Sequence, residues 1–504
     1  MDTPLYNALV NHKKLNRSSF HTPGHKSSGI INSELLELDY TELPDTDALF
    51  EASGVILEAE KNLAELFDVK RTLISAGGCS LAIMTMIRLA TMNGGKLLCG
   101  RNIHRSAVNA MTLLGVEPIW LLPRNNGAFT GRIYAEDVRK ALAENSDICG
   151  CYITSPTYYG EISDIVGISK VCKEYNIPLL VDNAHGSHLK FLSEDIHPIT
   201  LGASMTACSV HKTLPVLTGG ALLNINDDRF IEGSKEAMSL FASTSPPYPI
   251  MASIDLCADY ISKNADIYKR LEPIIAEIKI LADRLGILQP DGLCDPLRIA
   301  LNTASIGISG EKAGEFFRSM GVEPEFADDE NVVFICTPFN SENDFTKLRN
   351  AIKLLTKLDK DFVAKEKSEI FLPKRVMSLR EAVLGKSEFI PREKAIGRIS
   401  ADTACPCPPG IPVYMPGEII DEKILAPLLA YLKDCGDDYS VMVLPDHPTP
   451  ICLKTHTSDP VPFLIYRSND EKNSGVSTFC EETAEKTGLY IEPGCTLMNR
   501  FLAE

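Results

Sequence analysis

Between about residues 55 and 225 the chain alternates short apolar runs with segments of helical periodicity, and this alternation restricts the possible folds more than any other feature. Val55, Ile56, Ala59, Leu63 and Leu66 recur at helical spacing, Arg71 to Ser75 reads as a strand, and a second helix starts near Ser80. Lys96 to Cys99 and Glu117 to Leu122 read as strands around a helix at about 104–114. Cys151 to Thr154 is a further strand, Ile165, Ile168, Val171, Cys172 and Tyr175 mark one helix face, and Ile177 to Val181 returns as a strand. Strands separated by helices pair in parallel, with the helices covering the faces of the sheet. The expected fold is therefore α/β with a mostly parallel sheet. Ligands in such sheets collect beyond the carboxyl ends of the strands. Polar residues gather at those ends: Gly77 to Ser80, Ser155 to Thr157, Asp182 to His185, and Ser209 to Lys212.

The remaining pattern divides the chain into an arm at 1–50, a large domain at 51–284, a smaller α/β domain at 285–370, and a C-terminal α+β domain at 371–504. One long helix is expected at about 258–283. A strand is expected at 332–336 and a helix at 345–358. The net charge of −17, with no basic stripe, argues against a nucleic-acid or anionic-membrane surface. The first residues lack the pattern of a signal peptide, and no apolar run reaches the roughly 18 residues of a membrane span. Fifteen cysteines at irregular intervals, several in apolar contexts, read as reduced thiols of a cytoplasmic protein. Cys405 and Cys407 lack a second Cys/His pair nearby, so no metal site is expected.

Chemistry enters with Lys212. A lysine after a short apolar strand, flanked by Ser209, His211 and Thr213, can lose basicity and bond covalently to a carbonyl. An isolated lysine is usually a surface residue, and Asp182, at the end of another strand, changes that balance. An aspartate there can hold the proton on the pyridine nitrogen of pyridoxal 5'-phosphate (PLP), making the ring an electron sink. Gly77-Gly78-Cys79-Ser80 opens a helix, where glycine permits close backbone approach and free N–H groups suit a phosphate. His104 starts another helix, where its imidazole either stacks on a ring or simply bonds local backbone.

These segments resemble the Orn/Lys/Arg decarboxylase family of PLP enzymes, which have the aspartate-aminotransferase fold (fold type I). The resemblance covers nearly the whole chain. Its most specific pieces are Ser19 to Lys26, Ser209 to Leu214, Ser243 to Tyr248, Pro408 to Pro412, and Pro416-Gly417-Glu418. With the first motif reaching His21 so early, the chain looks like the short, Gram-positive-type form. The resemblance implies that Lys212 carries the cofactor, Asp182 partners its ring nitrogen, His104 stacks on the ring, and His185 lies near the phenolic oxygen. Gly78, Cys79, Ser80, Ser209 and His211 would hold the phosphate, and Thr244 or Ser245 would reach the phosphate of a neighbouring subunit. Glu418, with Glu42 and Asp47 of the acidic run 42–47, would face the distal cation of the substrate. The family usually has a hydroxyl residue at the position of Cys79 and a tyrosine at that of Cys407. The implied reaction is decarboxylation of a basic amino acid, arginine to agmatine in first place and lysine or ornithine as alternatives, in at least a homodimer serving polyamine synthesis. An aminotransferase-like PLP enzyme and a weakly catalytic regulatory homologue are the rival readings.

Overall fold

A computed structural model describes residues 18–20, 47–124, 129–363, 372–388, 390, 395–403, 412–421, 440–443 and 464–467. In chain order the strands are β1 (Ser18–Phe20), β2 (Arg71–Ser75), β3 (Lys96–Gly100), β4 (Pro118–Leu121), β5 (Ile148–Thr154), β6 (Leu179–Asp182), β7 (Met205–Cys208) and β8 (Ala221–Ile225). These last seven, β2 to β8, form one sheet in the order β2-β8-β7-β6-β5-β3-β4. All its pairings are parallel except those of β8, which runs antiparallel to β2 and β7. The mostly parallel α/β fold expected from the alternation is thus the one found. The central strands are buried on both faces, as helix-covered parallel strands must be: every residue of β6 and β7 is buried.

The helix Val55–Phe67 shows how sequence spacing becomes packing. Ile56, Glu60, Leu63 and Phe67 form its buried face, and Asp68 ends it in the left-handed region at φ 53°. Glu60 is tolerated inside because Lys235 lies 2.6 Å away and the Ile74 N–H donates to it at 2.9 Å. The helix Gly78–Ala90 buries eight residues from Cys79 to Leu89 and carries its N-terminus to the end of β2.

The single long helix expected at 258–283 is two helices, Tyr248–Lys263 and Glu272–Arg284. Asn264 leaves helical geometry at φ −129°, ψ 45°, and a proline stands in the first turn of the second helix, where its missing N–H costs nothing. Beyond them β9 (Arg298–Asn302), β10 (Val322–Pro324), β11 (Phe326–Ala327) and β12 (Asn331–Ile335) build two smaller sheets. β11, β12 and β9 pair antiparallel, while β1 pairs in parallel with β10. Phe20 anchors that N-terminal strand by edge contacts to Phe334 and Phe345 at 5.8 and 6.0 Å.

The chain forms two compact units, Met1–Ile424 and Leu425–Glu504. The boundary falls inside the stretch 371–504 that the sequence pattern reads as one C-terminal domain. In the second unit β13 (Ser440–Val443) pairs antiparallel with β14 (Leu464–Arg467). Among the described residues no helix is long and apolar enough to cross a membrane.

Candidate active site

Strand register brings the chemistry together. Asp182 ends β6 beside Thr154 of β5 and Ala207 of β7, and the chain after β7 turns at Ser209 into the single helical turn Val210–Thr213. That turn carries Lys212, whose Nζ lies 3.1 Å from His185 Nε2. Burial pulls the Lys212 pKa below that of a free lysine. Cys79, Asp182 and Glu325 oppose the shift and Arg298 reinforces it. His185 is held well below its usual pKa, first by burial and then by the charges of Lys212 and Arg298. It is a neutral imidazole at physiological pH, with Nε2 facing the lysine and a buried Nδ1 that has no hydrogen-bond partner. Asp182 is 1% exposed; the Tyr152 hydroxyl donates to it at 3.1 Å and the Ala184 N–H at 3.1 Å.

A second group of residues suits an anion. Gly78 adopts φ +72° at the start of a 13-residue helix, a conformation that favours glycine, and a Cβ there would meet nothing within 4 Å. The first N–H groups of that helix have no intrahelical acceptor. Ser80 lines a cleft of about 240 Å³ together with Gly77, Met84, Phe241 and Ser243. Cys79 is buried, and burial followed by the nearby Asp182 raises its pKa well above normal, so it stays a thiol. Ser209 Oγ lies 3.3 Å from His211 Nδ1, which also lies 3.1 Å from the Gly220 carbonyl. His104 is exposed and caps the helix Arg105–Leu114, accepting from the Ser106 N–H at 3.2 Å.

Two acidic residues named by the motif pattern already have partners within the protein. Glu418 is 1% exposed and forms a two-pronged pair with Arg101, at 2.6 and 2.7 Å, while accepting from the Met415 N–H at 2.8 Å. Arg101, fully buried at the end of β3, also donates to the carbonyls of Pro412 and Val413. Both carboxylate oxygens of Glu418 are thus engaged within the protein. The Asp47 carboxylate is likewise engaged, accepting backbone N–H groups of Ala48, Ser53, Gly54 and Ile56. Burial raises its pKa, but those four donors outweigh it and hold the carboxyl below its usual range. Thr244 and Ser245 are exposed. Glu42 and Cys407 lie outside the described residues.

The sequence pattern passed over Tyr158, Arg298 and Glu325. Tyr158 packs edge-on against His185 with ring centroids 4.9 Å apart, and its hydroxyl donates to Glu325 at 2.9 Å. Arg298 donates to the carbonyls of Tyr158 and His185 at 3.2 and 3.3 Å. Tyr158 follows a strand end and was open to discovery by position. Arg298 and Glu325 arrive from the later sheets and carry no local signal.

A buried carboxylate, a lysine of lowered basicity and a glycine-opened helix start on adjacent strand ends fit a phosphate-bearing pyridine aldehyde. Comparison with known proteins finds relatives over most of the chain. Residues 3–285 match the model of the Orn/Lys/Arg decarboxylase major domain, and 357–438 that of its C-terminal domain. Arginine decarboxylase of Bacillus subtilis (strain 168) is 30% identical over 454 residues, covering 84% of this chain and 92% of that protein. The structure of the Escherichia coli constitutive lysine decarboxylase superposes with a TM-score of 0.66 at 20% identity, over 85% of this chain and 77% of that one. A structure of SPT with PLP gives a TM-score of 0.51 at 12% identity, over 67% of this chain and 87% of that one. Residues 418–501 match a different model, the Metalloenzyme superfamily. A 2,3-bisphosphoglycerate-independent phosphoglycerate mutase of Methanosarcina mazei is 46% identical over 72 residues, which span 14% of this chain and only 18% of the mutase. The C-terminal stretch thus carries two resemblances where the sequence pattern reads one domain.

Proposed function

Because the chain belongs to the Orn/Lys/Arg decarboxylase family, we propose that it binds PLP and decarboxylates a basic amino acid, arginine before lysine or ornithine. The observation that carries this reading is the 3.1 Å contact between Lys212 Nζ and neutral His185, with buried Asp182 one strand away. The fit at Lys212, Asp182 and the Gly78 helix start supports PLP as the group held there, with Ser80, Ser209 and His211 around its phosphate and His104 against its ring. When bound, PLP supplies an electron sink for the charge left at the substrate Cα as CO₂ departs. Asp182, braced by the Tyr152 hydroxyl and the Ala184 N–H, keeps a proton on the ring nitrogen. Lys212, less basic than a free lysine, would hold the cofactor through its aldehyde carbon and, once the substrate amine had displaced it there, would stand as a free amine beside the reacting carbon. Lys212 Nζ and His185 Nε2 share a proton across their contact, and that proton is available to Cα after decarboxylation.

Substrate preference for arginine rests on the relatives that carry that name. The reading includes a homo-oligomer of at least two copies, in which exposed Thr244 or Ser245 reaches a neighbour's phosphate. Free thiols at nine described cysteines support a reducing, cytoplasmic setting, and the product amine would enter polyamine synthesis. Two measurements test the proposal: borohydride trapping of PLP with peptide mapping, and identification of amine and CO₂ from arginine, lysine and ornithine. Trapping on Lys212 with agmatine as the main product is expected. An adduct on another lysine, or no amine from any of the three, refutes it.

A further inference from the structure

His185 reaches Lys212 through Nε2 at 3.1 Å, while its other ring nitrogen, Nδ1, is buried without a hydrogen bond. The orientation of the ring is therefore left to the His185 backbone and to the Tyr158 ring, packed edge-on against it at 4.9 Å. One side chain holds both. We infer that Arg298, the first residue of β9, is the positioning residue that keeps His185 and Lys212 in place for proton delivery to the substrate Cα. The inference rests on the decarboxylase reading above.

The Arg298 guanidinium donates to the Tyr158 carbonyl at 3.2 Å and to the His185 carbonyl at 3.3 Å, so it joins the loops that follow β5 and β6. A guanidinium presents its donors in a rigid planar fork, which suits two carbonyls on separate loops better than a point charge does. Its side chain is buried, and a charge is tolerated there only with partners. Asp295 supplies the nearby carboxylate, 3.9 Å from the Arg298 Nε. It also ties the same two loops a second time. The Asp295 N–H donates to the Gly160 carbonyl at 2.8 Å, and its Oδ1 lies 2.9 Å from Nε2 of His188, three residues beyond His185. Gly160 permits this close approach: it adopts φ +94°, and a Cβ there would lie 2.9 Å from Arg298 Cβ and Cγ. Burial lowers the His185 pKa most, the charge of Lys212 comes next, and that of Arg298 adds to both, in keeping with a guanidinium close to the imidazole.

The competing role is structural, with Arg298 joining the two sheets and contributing stability alone. In decarboxylation the electron pair of the Cα–carboxylate bond stays on Cα as CO₂ leaves, and one proton then bonds there. A donor held in one place delivers that proton to one face. Turnover of the preferred basic amino acid in D₂O by PLP-loaded protein, with the configuration of the monodeuterated amine read by NMR after chiral derivatisation, therefore reports the pose of the donor. The wild type should place deuterium on one face. Arg298→Met should mix the two faces and lower kcat by about ten- to a hundredfold, the cost of a displacement of about 1 Å. Its KM, and its PLP affinity by absorbance titration, should stay within about threefold of wild type. Arg298→Lys keeps the charge beside Asp295 but not the fork, so it should restore most of any lost Tm yet still mix the faces, and it carries the test if Arg298→Met does not fold. A single-faced product with near-wild-type kcat in either variant, or a loss carried by KM, overturns the assignment, and so does a wild-type product with deuterium on both faces. In each case amine release by the wild type leaves the decarboxylase reading standing. A wild-type protein that releases no amine from any basic amino acid removes both.

Discussion

Replacing Glu418 by glutamine separates a buried clamp from a substrate contact. The Glu418 carboxylate and the Arg101 guanidinium are 1% and 0% exposed, and meet through two bonds of 2.6 and 2.7 Å. Glutamine preserves the shape but leaves the guanidinium charge buried without a counter-charge, and turns an N–H₂ group toward a donor. Removing one partner of such a pair costs about 3–5 kcal/mol. At about 2.1 cal/mol/K per residue, a cooperative unit the size of Met1–Ile424 loses roughly 1 °C of Tm per kcal/mol. Glu418→Gln should therefore melt about 3–5 °C below wild type in differential scanning calorimetry. The loss should persist in high salt, because a pair this deep is screened little. Arg101→Met combined with Glu418→Met removes both charges and should recover part of the loss. Recovery stays incomplete because the Pro412 and Val413 carbonyls lose their donor, at about 1 kcal/mol each. A Glu418→Gln protein with wild-type Tm and a KM for arginine raised tenfold or more would refute the clamp and restore Glu418 to the substrate.

Asp182→Asn should still take up PLP by absorbance but lose most decarboxylation, since an amide cannot hold the ring proton; near-normal turnover would show that Asp182 is misassigned. Gly78→Ala meets no neighbour but must hold φ near +72°, at a cost of about 1–2 kcal/mol, and should weaken PLP affinity several-fold by equilibrium titration, with Gly78→Asn losing less. His197, buried between Phe67 and Asn183, has its pKa pushed down to about 3, with burial the main cause. Below about pH 6.5 the unfolded chain takes up a proton there that the folded chain refuses. Stability should fall on acidification by up to about 1.4 kcal/mol per pH unit from this group, and denaturant curves of His197→Asn should show a shallower slope between pH 6.5 and 4.5.

What the sequence revealed and what it hid divide along sequence separation. Lys212, His185, Asp182 and the Gly77–Ser80 turn each sit at the end of a strand whose apolar pattern is local, and a parallel sheet aligns those ends without any knowledge of tertiary packing. The antiparallel insertion of β8 between β2 and β7 left no such trace, because a fully buried strand reads the same in either direction. The break at Asn264 was equally hidden, since apolar periodicity resumes in the next helix with nearly the same character.

Glu418 shows why the acidic residues were harder. An acid after Pro416-Gly417 has the local signature of an exposed turn, and nothing nearby in the sequence says otherwise. Its partner is Arg101, 317 residues earlier, and only their meeting turns an apparent substrate contact into an internal clamp. Arg101 in turn sits three residues before His104, so the pair fastens the segment 412–418 directly onto the strand end that presents this imidazole. Charges brought together from distant parts of a chain cannot be ranked by local pattern. Their exposure and their partners decide whether a carboxylate is open or engaged, and Glu418 is engaged by Arg101.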